Sequence, residues 1–501
     1  MIEKYNHLKT HMSEIWDLTK AQAVLGWDRQ TKMPSKGAEA RTRQTSTLSR
    51  LIHERYTSDE VGQLLEALTP WLDELDFDSE EAALIRLTDQ EYQKRTAVPT
   101  EHVTSQAEAG GEANVAWMKA RQENDFPSFI PHLERMFELA GEYATFFPDA
   151  DHPYDALLDQ FEPGMTVETV SRTFNEVKGP QSELIKAIHE SNQDVDDSLL
   201  HQHFAEGKQL DAALEAAQIL GYDLDRGRLD LTTHPFATSF SVDDVRITTR
   251  VNENFLNPCL FATMHESGHA LYELGVSSEL EGLPLARGAS SGVHESQSRL
   301  FENLIGRSRA FSSHLFPILQ KHFPAQLGGA DIDTYYRAIN KVQPTYIRVE
   351  ADEVSYNLHI ILRFEIELGV LNGDIAIKDL PDAWSEKFET YLGIVPLTDT
   401  EGVLQDVHWS WGLIGHFTSY AMGNIIASQW WRQMANDIPN QDELMAQGNI
   451  TPIREWLIDN VHQYGKKYLP TELIQRVTGG PIKTGPYLDY LGSKYKDIYN
   501  L

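Results

Sequence analysis

Apolar residues recur every three to four positions along most of the chain, the spacing that places them on one face of an α-helix. Over residues 2–30, Leu8, Met12, Ile15, Trp16, Leu18, Ala23 and Val24 follow it, and the pattern stops near Met33-Pro34. Further helices are predicted over about 37–56, 58–68, 79–96, 101–123, 128–146, 166–190 and 197–220. Several start at Ser58, Ser79 or Thr166, whose side-chain oxygens can accept from the open N–H groups of a first turn. The texture changes over 223–256, where Thr, Val, Phe and Asp alternate with few Gly or Pro. That alternation predicts a β-hairpin over 237–252 turning near Asp243-Asp244, and an edge strand there could hold an extended peptide by main-chain pairing. Helical spacing returns at 257–275, 293–322, 332–342, 346–370 and about 412–435, with loops at Gly282 to Gly292 and Val395 to about Trp409, and the tail alternates short helices with Pro/Gly turns. The pattern predicts a mainly α fold with one hairpin, and no Ser/Gly linker divides it.

Composition narrows the function classes. With 41% hydrophobic residues in 501, the chain has ample material for a core, which excludes general disorder. No run of about 18 apolar residues is present to span a bilayer. The opening MIEKYNHLKTHMSEIW lacks the basic segment and apolar core of a secretory signal, and Cys259 is the one cysteine, so a reducing, cytoplasmic location is expected. The formal charge of −32, from 43 basic and 75 acidic residues, repels nucleic-acid backbones and anionic membranes, and neither is expected as a partner.

The chemistry concentrates in NPCLFATMHESGHALYELG, residues 257–275. Asn257 suits an N-cap, Pro258 the first helical position and Gly275 the stop. Residues four apart on a helix lie about 40° apart around the axis, so His265 and His269 project side by side and can grip one metal ion. Glu266, turned by about 100°, can reach a water held by that ion and take its proton as it attacks a peptide carbonyl. A catalytic zinc generally takes three protein ligands. The candidate third ligand is Glu295, 26 residues beyond His269, on a helix that could return antiparallel; His294 is the alternative. Arg348, Tyr346, His408 and Tyr420 are candidates to bind a substrate carboxylate or a developing oxyanion, although Arg348 could simply pair with Glu350 or Asp352.

Six motifs occur in series: His234-Pro235-Phe236; Asp244-Val245-Arg246-Ile247-Thr248; His265-Glu266-Ser267-Gly268-His269; His294-Glu295-Ser296-Gln297; Ile347-Arg348-Val349-Glu350-Ala351-Asp352; and Gly402-Val403-Leu404-Gln405-Asp406-Val407-His408-Trp409. Together they resemble the Taq-type zinc carboxypeptidases over most of the chain. The resemblance implies a single peptidase domain over 1–501, a two-lobed, mainly helical zincin with a deep groove like that of neurolysin and angiotensin-converting enzyme. A small β-hairpin or sheet would stand beside the active-site helix, and helices within about 1–100 would line or cover the groove. It implies a homodimer that releases single C-terminal residues from peptides with broad side-chain tolerance and acts poorly next to proline. It assigns a divalent metal to His265, His269 and Glu295, with zinc expected and cobalt able to occupy the same ligands. Glu266 becomes the general base, Arg348 the contact for the substrate's C-terminal carboxylate, and His408 and Tyr420 the transition-state donors. The alternative is a groove-type metallo-oligopeptidase that cuts internal bonds with the same chemistry. In one respect the chain departs from thermolysin-like enzymes, which carry an Asp four residues after the glutamate ligand to orient a ligand histidine. Here Arg299 stands at that position, so the orienting group must come from elsewhere.

Overall fold

The computed structural model describes residues 1–191 and 193–501. Its first helix, α1, runs Ile2–Thr31 and buries Tyr5, Leu8, Met12, Ile15, Trp16 and Trp27; of the predicted stripe, Leu18 and Ala23 are half-buried and Val24 is exposed. Ser58, Ser79 and Thr166 each accept a first-turn N–H, from Val61, Ala82 and Thr169, so these three starts are set by side-chain capping. The predicted helix over 197–220 is divided into a short turn at Ser198–Leu200 and a helix at Glu206–Leu220. Between them Phe204 N donates to Glu253 O, which leads the chain away from the helical path.

The sheet has three strands, not two: β1 (Leu229–Leu231), β2 (Ala237–Ser241) and β3 (Asp244–Thr249), in the order β1-β3-β2. The hairpin is present, with Ala237 opposite Ile247 and Thr238 opposite Arg246. Its second strand is internal, because β1 pairs parallel with it. Neither edge is bare, since Lys20 of α1 donates to Ser239 O on β2 and Lys32 pairs with Asp230 on β1.

Behind the sheet lies α2, Asn257–Leu274. Val245 and Ile247 pack on its Ala270 and Leu274, together with Ala217 and Tyr222 from the preceding segment. The Thr263 hydroxyl meets that of Thr249 at 3.0 Å. One face of α2 is therefore pinned to the sheet, and the other is free to carry chemistry. The predicted helix over 293–322 is three pieces: α3 (Ser291–Arg299), a π-helical turn (Leu300–Ile305) and a helix at Arg309–His322. The break falls at Gly306–Ser308, where Ser308 Oγ accepts from Phe311 N and starts the new helix. Similarly, the predicted 346–370 segment is a turn at Arg348–Glu350 followed by α4, Tyr356–Leu371. A helix at Leu380–Leu392 was not anticipated. The last helix that matters for the site is α5, Phe417–Asp437, preceded by a short turn at His408–Trp411.

Most of the apolar core is one cluster running from Ala113 to Tyr499, and α2 to α5 all contribute to it. The N-terminal helices form a second cluster with Leu280, Leu283 and Leu285, so the segment between α2 and α3 is anchored by apolar contact on α1's side.

Candidate metal centre and its cleft

Two close approaches between helices build the site. α2 and α3 run antiparallel, with His265 beside Glu302, His269 beside His294, and Tyr272 OH accepting from Ala289 N. They come together at Gly268, where a Cβ would sit 2.5 Å from Gln297 O and 2.7 Å from Ser298 Cα. α5 packs on the other side of α3 through Gly423, where a Cβ would lie 2.6 Å from Glu295 Cγ. Any larger residue at either glycine would push the helices apart. Glu295 is thereby held between α2 and α5.

The helix that carries the motif has the expected span, but its ends work differently. Leu256 stands at the N-cap and Asn257 is already helical, its Oδ1 buried and without a hydrogen-bond partner among the described residues. Pro258 fills the first turn as its missing N–H allows. Gly275 has φ −90°, not a left-handed stop. It is small because a Cβ there would lie 2.6 Å from His462 Nδ1.

His265, His269 and Glu295 converge. Glu295 Oε2 lies 3.6 Å from Nε2 of each histidine, and the three donor atoms are all within 4.8 Å of one another. Donor atoms around a tetrahedral ion bound at about 2.1 Å stand roughly 3.4 Å apart, close to the two histidine–carboxylate separations here. Both remaining ring nitrogens are occupied. His265 Nδ1 is 2.9 Å from Glu302 Oε2, which leaves Nε2 facing Glu295. His269 Nδ1 is 3.1 Å from His294 Nδ1, and His294 Nε2 is 2.7 Å from Glu273 Oε1. Because a carboxylate only accepts, a neutral His294 donates through Nε2 and accepts through Nδ1, so His269 donates through Nδ1 and keeps its Nε2 lone pair. His294, read from sequence as an alternative ligand, thus stands behind His269. The orienting group missing at Arg299 is Glu302, seven residues beyond Glu295, about two helical turns on and within the π-helical turn. Arg299 itself braces both acids, with Nε 2.7 Å from Glu295 Oε1 and Nη1 3.2 Å from Glu302 Oε2.

The electrostatics agree with a cation site. Burial works against a charge on His265, yet Glu295 and Glu302 raise its proton affinity overall, so the local field favours a positive charge there. Burial likewise opposes charge on Glu302, but Arg299 and His265 bring its carboxyl down to about 2. Glu266 is nearly buried, and burial pushes its carboxyl up to about 7, with His265 pulling the other way.

The remaining predicted residues divide. Tyr420 lines a cleft of about 500 Å³ together with His269, Glu295, His294 and Ser419. His408 stands behind it, Nε2 3.0 Å from the Tyr420 hydroxyl, and burial brings its imidazole down to about 3, so it is neutral. His416, which sequence reasoning missed, lines the cleft beside Tyr420, the ring centres 5.1 Å apart. Arg348 is buried and pairs with neither Glu350 nor Asp352. Its Nη2 is 2.8 Å from Asp406 Oδ1 and its Nη1 donates to Tyr356 OH at 3.1 Å. The fully buried Arg363 takes the other Asp406 oxygen, with Nε 2.8 Å from Oδ2. Burial opposes charge on Asp406 too, but the two guanidinium groups hold its carboxyl far below the usual range. Arg348 is 5.0 Å from the Tyr420 ring centre, which links it to the cleft. Arg363 and Glu273 left no usable sequence signal, whereas Asp406 lies within the sixth motif and Glu302 about two helical turns beyond Glu295, and sequence reasoning gave neither a role.

A family model described as "Carboxypeptidase Taq (M32) metallopeptidase" matches residues 7–495. The chain is 39% identical over 501 residues to "Carboxypeptidase 1" of Bacillus subtilis, covering 99% of this chain and 100% of that protein. It is 39% identical over 504 residues to "Thermostable carboxypeptidase 1" of Thermus thermophilus, covering 99% of each. Among solved structures it is similar to an M32 carboxypeptidase from Deinococcus radiodurans R1, with TM-score 0.96 and 40% identity over 100% of both chains.

Proposed function

The chain belongs to the carboxypeptidase Taq (M32) metallopeptidase family and is a metal-dependent carboxypeptidase, and from that premise we propose how its own residues do the work. His265, His269 and Glu295 hold the divalent metal, Glu266 is the general base, and the products are single C-terminal residues released from peptides of broad composition. The observation that carries this reading is the convergence of two histidine Nε2 atoms on Glu295 Oε2, both at 3.6 Å.

A divalent ion held by that set supplies Lewis acidity, making a water acidic near neutral pH and polarising the scissile carbonyl. Glu266 takes the proton of the attacking water and passes it to the leaving amine; a buried carboxyl near neutrality can do both. Tyr420 keeps its proton, because burial raises its hydroxyl well above its ordinary value, and so remains a donor to the developing oxyanion. His408 orients that hydroxyl from behind. Arg348 contributes the charge left over when one of two guanidinium groups is balanced by Asp406, and it draws the substrate's C-terminal carboxylate. His₂Glu ligation supports zinc as the resident ion, with cobalt able to replace it. A homodimer in the cytoplasm completes the proposal. The free, buried Cys259 suits a reducing compartment, and no described helix is long and apolar enough to cross a membrane.

Metal analysis and kinetics of four variants test the roles. His265→Ala, His269→Ala and Glu295→Ala should lose metal, whereas Glu266→Gln should keep it and lose rate by about 10²–10⁴-fold. Retention of metal and rate in Glu295→Ala would remove it from the ligand set. Amidated peptides should resist cleavage, and equal turnover of amidated and free peptides would reject terminal recognition by Arg348.

A further inference from the structure

At the end of the cleft away from Arg348, cations outnumber the acid they share. Arg287 and Lys466 both line the cleft that holds His269, Glu295 and Tyr420. One carboxylate serves them. Glu91 Oε1 is 3.0 Å from Lys466 Nζ and 4.0 Å from Arg287 Nη2, and its other oxygen is 3.5 Å from Arg95 Nη2. Three positive charges thus surround one negative charge. Of the other acids nearby, Asp159 pairs with Lys94, while Glu273, which also lines the cleft, accepts from His294 and the Gly288 N–H and has Lys20 as a further neighbouring cation. Burial, and after it the neighbouring Arg287 charge, pull the Lys466 ammonium down to about 8, against the opposing pull of Glu91. In a chain of net charge −32, this local excess runs against the whole.

Its position relative to the metal ligands sets what it can meet. Along the antiparallel α2–α3 pair, His265, Glu302 and Arg299 lie at one end, and Arg299 stacks 4.1 Å from the Tyr356 ring that accepts from Arg348. His269, His294 and Glu273 lie toward the other end, where Arg287 precedes α3. The two basic centres therefore flank the ligand set from opposite sides. A peptide whose C-terminal carboxylate sits at Arg348 runs past the ligand set with its preceding residues toward Arg287 and Lys466.

We propose that Arg287 and Lys466 form a subsite for an acidic side chain, Asp or Glu, on the second or third residue from the substrate's C-terminus. The proposal rests on the reading of Arg348 as the partner of the terminal carboxylate. Arg287 is exposed and presents a planar fork that can take a carboxylate in two hydrogen bonds, and Lys466 adds a point charge beneath it.

The test uses acyl-blocked hexapeptides that differ only in carrying Glu, Gln or Lys at the last, second-last or third-last residue. With the unaltered enzyme, kcat/KM should favour Glu over Gln by about three- to tenfold at the second- or third-last position, and not at the last. That ratio should fall toward one in Arg287→Gln and in Lys466→Gln, persist in Arg287→Lys, and turn in favour of Lys-containing peptides in Arg287→Glu. A ratio of one in the unaltered enzyme, a preference confined to the last residue, or a ratio unmoved by both neutral variants overturns the subsite. Calorimetric binding of the same peptides to Glu266→Gln reads the same ratio without turnover. Absence of cleavage of every free peptide by the unaltered enzyme would then count against the catalytic reading, while the ratio of dissociation constants still judges the subsite. Equal binding of amidated and free peptides would count against Arg348 alone.

Discussion

The two ends of the α2–α3 helix pair are built on opposite principles. At the Arg348 end the charged groups interlock with little exposure to solvent: Asp406 lies between Arg348 and Arg363, with one guanidinium charge left over, and Glu302 lies among His265, Arg299 and Arg307. At the Arg287 end, Arg287 is exposed, Lys466 shares one carboxylate with it among the described residues, and both line an open cleft. An interlocked network is rigid and can hold a ligand atom or a positioning group in one place. An open one leaves capacity for a charge that arrives with the substrate. The difference assigns fixed geometry to one end and selectivity to the other.

Removing one acid from the interlocked end should break it most severely. Asp406→Asn leaves two nearly buried guanidinium groups without a counter-charge, and the expected loss is about 3–5 kcal/mol of folding stability. Arg287→Gln at the open end should stay within about 0.5 kcal/mol of the parent. Chemical denaturation of both variants reads the contrast, and a similar loss in each would erase the distinction drawn between the ends.

The same asymmetry extends to the two histidines proposed as ligands. Glu302 touches His265 directly, whereas Glu273 acts on His269 through His294. Loss of an orienting carboxylate typically weakens metal binding by about 10–100-fold. Glu302→Gln should fall in that range and Glu273→Gln below it, measured by competition against a chelating indicator. Equal losses would mean that the intervening imidazole transmits the carboxylate's effect undiminished.

How far the sequence reaches follows the same divide between local and distant partners. Helical spacing located α1 and α2, and the His265/His269 pair needs only the geometry of one helix, so the geometry of the histidine pair was legible. Glu295 was reachable as a candidate because its helix follows directly. The details failed where a neighbour decides. Asn257 does not cap, and Gly275 answers to His462, 187 residues away. β1 escaped because a three-residue strand has too few positions to show alternation and gains its pairing from β3, more than a dozen residues on. Glu302 lies about two helical turns beyond Glu295, near the same face, but spacing alone does not say that His265 stands opposite it. Arg287 and Lys466 meet across 179 positions, and the acid they share, Glu91, belongs to the N-terminal helices. Helix spacing carries no information about such meetings.

The smallest expected effect separates the buried acids of the two ends by pH. Glu162 sits near the open end, where its Oε1 accepts from the Gly292 N–H at the start of α3 and from Ser419 Oγ at 2.8 Å. Neither donor is charged. Burial therefore dominates and pushes its carboxyl up to about 7 from the usual 4.5, whereas Asp406, flanked by two guanidinium groups, is driven the other way. A carboxyl whose affinity for protons is raised on folding gives stability that is fully present below pH 4.5 and is lost as pH rises through about 7, because between those values the folded chain binds more protons than the unfolded one. Asp406 contributes the opposite dependence, lost only as pH falls into the acid range, and so is constant near neutrality. Measured against Glu162→Gln, which does not titrate, the unaltered protein should lose about 1–2 kcal/mol of stability between roughly pH 5 and pH 8. Asp406→Asn should differ from the unaltered protein by the same amount at both pH values. A flat difference for Glu162→Gln would mean that its carboxylate is solvated or paired after all, and that the open end is as well compensated as the closed one.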